Sequence, residues 1–117
     1  MLMKKRKIYF SGDEESAELF AWMFTAFARS PVRYTEDDQL RRAASILDAR
    51  DEISAETEDG LGRGLKVGSA QDLLLTQAEY EQFKEVVRAF PWPAENAREA
   101  LKVRELVDGA ESIEVVD

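Results

Sequence analysis

The chain contains neither cysteine nor histidine. Without cysteine there is no disulfide, no thiolate metal ligand and no cysteine nucleophile. Without histidine it lacks the side chain that titrates nearest neutrality and the commonest transition-metal ligand. Acid–base chemistry would fall to carboxylates, Lys, Tyr or water. Long hydrophobic runs are missing as well. The longest, Leu19 to Ala28, has ten residues interrupted by Thr25, about half the ~20 that a membrane-spanning helix needs. The basic start Lys4-Lys5-Arg6-Lys7 leads only to Ile8-Tyr9-Phe10 before the polar "SGDEES", not to the long apolar core of a signal peptide. A cytoplasmic protein is expected, with no membrane association.

What is present fits one domain, residues 1–117, and 117 residues suffice to bury roughly two thirds of the unfolded-chain surface without staples. Apolar residues make up 44% of the chain, enough to offset the 34% that are charged and to exclude a disordered class. The net charge is −8; Lys4, Lys5, Arg6 and Lys7 contribute +4, so the remainder carries −12. A body that acidic repels nucleic acid and attracts basic protein surfaces. The basic cluster itself reads as a solvated lead into an edge strand.

Two stretches read alike, "KIYFSGDEESAELF" and "DLLLTQAEYEQF". Each has an apolar run suited to a strand, then a candidate helix N-cap (Ser11, Thr76), then the glutamate of a capping box (Glu14, Glu79). Leu75 and Tyr80 add a hydrophobic staple to the second. A helix after Ser11 places Leu19, Met23 and Phe27 on one face, with Phe20, Phe24 and Trp22 widening the apolar arc to about half the cylinder. Such a helix is central, or buries one face in a partner. Its counterpart carries Tyr80, Phe83, Val86, Val87 and Phe90. Prolines then stop both helices, Pro31 in one and Pro91 and Pro93 in the other. A second helix follows each: one capped by Thr35 with the stripe Leu40, Ala43, Ala44, Leu47, the other entered at Pro93 with the stripe Ala97, Ala100, Leu101, Val103, Val107. The expected fold is α+β and mainly helical, four helices in two strand-helix-turn-helix units with a small β-sheet. The units read as an internal duplication of residues 7–53 and 65–113. The acidic, glycine-rich span 54–64 joins them as a linker, "LKV" (65–67) is placed in a hairpin with "DLLL" (72–75), and Ile113, Val115 and Val116 are expected to add a last strand.

Chemical motifs were sought and are absent. Gly60, Gly62, Gly64 and Gly68 do not make a phosphate loop, because Lys66 lies between Leu65 and Val67 instead of within Gly-Lys-Ser/Thr. The dinucleotide pattern fails at its third glycine, where Leu65 or Val67 stands. A calcium loop through "AETEDG" would need a glutamate where Lys66 is found. Capping accounts for Glu14 and Glu79 without a catalytic role. No cofactor, metal or enzymatic activity is expected.

Charge therefore carries the functional expectation. In size and acidity the chain resembles small accessory proteins such as phage genomes encode, and no motif names a family. The sequence predicts a protein-interaction module that docks on a basic surface of a nucleic-acid-handling protein and regulates or inhibits it. Glu36, Asp37, Asp38, Glu56, Glu58 and Asp59 would stand in for phosphates. Direct nucleic-acid binding is not expected. The alternatives are a self-assembling protein that uses Phe20, Trp22 and Phe24 as an oligomer interface, and a carboxylate-dependent enzyme.

Overall fold

The computed structural model describes residues 2–56, 63–65 and 71–116. In chain order the elements are β1 (Leu2–Phe10), α1 (Glu14–Arg29), α2 (Asp37–Glu52), β2 (Ser54–Glu56), β3 (Arg63–Leu65), β4 (Gln71–Thr76), α3 (Gln77–Arg88), a 3-10 turn (Ala94–Asn96), α4 (Ala97–Asp108) and β5 (Glu111–Val116). Four helices with a three-stranded antiparallel sheet, ordered β4-β1-β5, make the expected α+β fold. Among the described residues no helix is long and apolar enough to cross a membrane.

The basic strand β1 is central, not an edge as its charge predicted. The reason lies in its partner: β5 brings Glu111 opposite Lys7 and Glu114 opposite Lys4, and Lys7 and Glu111 form an ion pair at 3.4 Å. Lys5 to Phe10 pair with β4 and Leu2 to Lys7 with β5, so the strands overlap fully only at residues 5–7. Directly opposed residues share a face. Ile8, Phe10, Leu73 and Leu75 are buried on the face that the helices cover, whereas Tyr9, 57% exposed, lies on the open face with Leu74.

Helix α1 is central, as its wide apolar arc implies. Phe20, Met23, Phe24 and Phe27 are all buried. Phe20 tilts against Phe10 of the sheet with ring centroids 5.1 Å apart, while Phe24 and Phe27 meet Phe83 of α3 at 5.9 and 5.1 Å. The proline stops act as expected: α1 ends at Arg29 before Pro31, and α3 at Arg88 before Pro91.

Three local expectations are corrected. Asp13, not Ser11, caps α1: the Ser16 N–H donates to Asp13 Oδ1 at 2.7 Å, while the Ser11 and Ser16 hydroxyls bond each other at 2.6 Å. Glu14 thus opens the helix instead of closing a capping box. The three-residue connection between strand and helix is made possible by Gly12, whose φ of 86° is left-handed. Glu36, not Thr35, precedes α2, with its N–H donating to Gln39 Oε1 at 3.4 Å. The third correction concerns the hairpin. Leu65 pairs with Ser54, and Ala55 with Gly64, so β3 pairs with β2 and not with β4. The ends of the span 54–64 are therefore strands, and Lys66 and Val67 lie outside the described residues.

The second unit follows its signature. The Glu79 N–H donates to Thr76 Oγ1 at 3.1 Å and the Thr76 N–H to Glu79 Oε1 at 2.8 Å. Strand, helix, helix recurs in both halves, but only the second half has the Ser/Thr capping signature on which the duplication was read. β5 forms where the last strand was expected.

The caps and the core supply two predictions. The Asp13 carboxyl is held below its ordinary value chiefly by the Ser16 N–H, against slight desolvation, with the Ser11 and Ser16 hydroxyls adding. A lowered folded-state value means stabilisation that is complete above the unfolded pKa and is lost as pH falls through the folded one. The melting temperature of Asp13→Ala should lie below wild type at neutral pH and converge on it in acid; a gap independent of pH would exclude the charged cap. Separately, the buried Tyr80 Oη donates to the Val107 carbonyl at 2.8 Å, under an Arg6 guanidinium 4.4 Å from the ring centroid. Val107 keeps the Ala110 N–H at 3.3 Å. Tyr80→Phe should therefore cost only about 1 kcal/mol, lowering the urea midpoint without changing the slope.

Candidate functional site

Helix α2 is the element that presents the predicted carboxylates. Its inward face is held by Ile46, which is buried, and by a polar seam: Arg42 Nε donates to Gln82 Oε1 at 2.7 Å, and Gln82 Nε2 donates to the Gln39 carbonyl at 2.9 Å. Tyr34 adjoins that seam. Burial raises its phenol above the ordinary value, the Gln82 hydrogen bond opposes this and the Glu85 carboxylate adds to it. With Gln39, Arg42 and Ile46 turned inward, Leu40 and Ala44 of the expected stripe are exposed.

Glu36, Asp37 and Asp38 are exposed at the start of α2. Asp38 pairs with Arg41 at 3.6 Å, both side chains being three-quarters exposed, so the pair contributes little to stability. Negative charge here suits the positive end of the helix dipole. Glu56 closes β2, and Glu58 and Asp59 lie outside the described residues. Among the described residues, Glu56 is not brought to Glu36: α2 separates Glu36 from β2 by sixteen residues, about 24 Å of helix.

A further acidic group lies on the same helix. Asp51 and Glu52 are exposed in the last turn of α2, where the dipole disfavours negative charge, and Asp48 is exposed just before it. Asp51 pairs with Arg50 at 3.0 Å. The signal was present in the sequence as carboxylates at the wrong end of a helix, but it needed the helix boundary at Glu52 to be seen.

The aromatic residues take other roles. Phe20 and Phe24 face the protein's own core, 1% and 4% exposed, and so are out of reach of a second subunit. Trp22 is half-buried against Trp92, ring centroids 5.6 Å apart, and Trp92 meets Phe90 edge-on at 5.1 Å. Beside them a shallow depression of about 390 Å³ is lined by Trp92, Pro93, Leu101 and Arg104. Another, of about 400 Å³, brings Glu105 and Glu111 near Lys7. Among the described residues no group of three or more acidic side chains is arranged to hold a metal ion. Comparison with known families, curated proteins and solved structures finds no match.

Proposed function

We propose that this protein is a cytoplasmic interaction module that acts by binding, not catalysis. The exposed face of α2 docks on a basic, phosphate-binding surface of a nucleic-acid-handling protein and occludes it. The observation that carries this reading is the cluster Asp48, Asp51 and Glu52 at the negative end of α2. Asp51 and Glu52 have partners within the chain, so the weight rests on Asp48, which is exposed and has no ion pair among the described residues. Together with Glu36, Asp37 and Asp38 they put carboxylates at both ends of one exposed helix. Asp38 and Asp48 stand about 15 Å apart along the axis, the span of four or five phosphate steps of a duplex strand at ~3.4 Å each.

The test is affinity capture from a cell extract on immobilised protein, followed by elution with duplex DNA at constant ionic strength. Proteins with basic grooves that DNA releases are the expected catch. Proteins held equally by a column bearing neutralised α2 carboxylates, and indifferent to DNA, would overturn the reading.

A further inference from the structure

Among the described residues the β5 edge of the sheet is uncovered. β5 pairs with β1 along one side, and among the described residues no strand pairs with its other side. At the opposite edge of the sheet, β4 lies beside α2. Edge strands are commonly blunted by brevity, by charged side chains, by proline or by a bulge, and charge of one sign leaves an edge open to a strand of the other sign. β5, "ESIEVV", has six residues and contains neither lysine nor proline, and six is an ordinary strand length. Ile113 and Val115 are half-buried on the open face of the sheet, and Val116 is 81% exposed on the other. Its only charges are Glu111 and Glu114.

The strand already shows what it accepts. On its paired side, Glu111 and Glu114 stand opposite Lys7 and Lys4, cations three residues apart on an extended chain. Glu111 forms an ion pair with Lys7, while Glu114 has none among the described residues. A second copy of the chain would bring the same two glutamates and a further −8 of charge to this edge. A basic strand meets neither repulsion.

We propose that the outer edge of β5 takes up an extended basic segment of a partner protein as a fourth, antiparallel strand. Backbone hydrogen bonds supply the affinity, as in other strand additions. Lysine or arginine opposite Glu111 and Glu114, with apolar residues opposite Ile113 and Val115, supplies the selection. This surface is remote from the α2 face and does not depend on it.

The probe is the hexapeptide Leu-Val-Lys-Val-Thr-Lys, capped at both ends and written to pair from Val116 back to Glu111. Its control is Leu-Val-Glu-Val-Thr-Glu. Backbone amide NMR of the full chain is followed during titration. The lysine peptide should shift the amides of residues 111–116 at millimolar concentration, and the glutamate peptide should bind about three- to tenfold more weakly. Glu114→Gln, at an exposed site without an ion pair and with no like charge set opposite Lys4, should narrow that preference with the rest of the spectrum unchanged. Equal binding of the two peptides, shifts confined to other elements, or no shift at all would overturn the proposal. Movement of the same amides with protein concentration alone would assign the edge to a second copy and overturn it as well.

Discussion

Phe83→Ala should melt about 10–20 °C below wild type, from a loss of roughly 3–5 kcal/mol. Phe83 is fully buried and stacks on Phe27 at 5.1 Å while meeting Phe24 at 5.9 Å. Removing the ring opens a cavity between α1 and α3, whose walls belong to helices that the sheet and the other helices hold in place. Little collapse is available to fill it, which puts the cost toward the upper end of such substitutions. A domain of this size has only about 5–15 kcal/mol in total, so the variant sits near the limit of folding at ambient temperature. Leu101→Ala is the matched control. Leu101 belongs to the apolar stripe read from the sequence, yet it is 62% exposed. It should change the melting temperature by no more than about 2 °C, since exposed substitutions stay within ~0.5 kcal/mol. Thermal melts followed by circular dichroism compare the two. Equal losses would mean that α4 packs through another face and that the α1–α3 contact is not the centre of the core.

The contrast between Phe83 and Leu101 marks where the sequence was legible. Strong periodicity and aromatic mass located α1 and α3, because a face dense in Phe has no other place to go. The capping box at Thr76 and Glu79 fixed the start of α3 to the residue. The stripe of α2 was misplaced by a small rotation for a physical reason. Its inward face includes Arg42, whose side chain bonds Gln82 of α3, while Gln82 also reaches the Gln39 carbonyl. Polar residues in an inward seam look like solvent-facing ones until their partner, forty residues away, is known. Lys4 to Lys7 misled in the same manner. A basic run suits an edge strand, and only the register with Glu111 and Glu114 explains its central place. Of the predicted contact residues, Glu36, Asp37 and Asp38 are exposed on one helix end. The sequence alone had no means of measuring the length of helix between them and Glu56.

Neutralising the α2 carboxylates should slow association with a captured basic partner by roughly tenfold at low salt, about 1.4 kcal/mol spread over three charges. The variant is Glu36→Gln with Asp37→Asn and Asp38→Asn, which keeps side-chain oxygens at the helix start. Near 1 M salt the Debye length drops to ~3 Å from ~10 Å at 0.1 M, and wild type and variant should converge. Asp48→Asn makes the sharper test, because it separates binding from stability. Asp48 is exposed, has no ion pair among the described residues and stands before the last turn of α2, where the dipole acts weakly, so the melting temperature should hold. Association should nevertheless slow, and duplex DNA should displace either variant at a lower concentration than it displaces the wild type. Stopped-flow association across a salt series, with DNA as competitor, reads both effects, and a thermal melt reads the third. If Asp48→Asn lowers stability, the carboxylate has a structural partner and its position says nothing about binding. If association is insensitive to salt and to both variants, the face of α2 is not the docking surface.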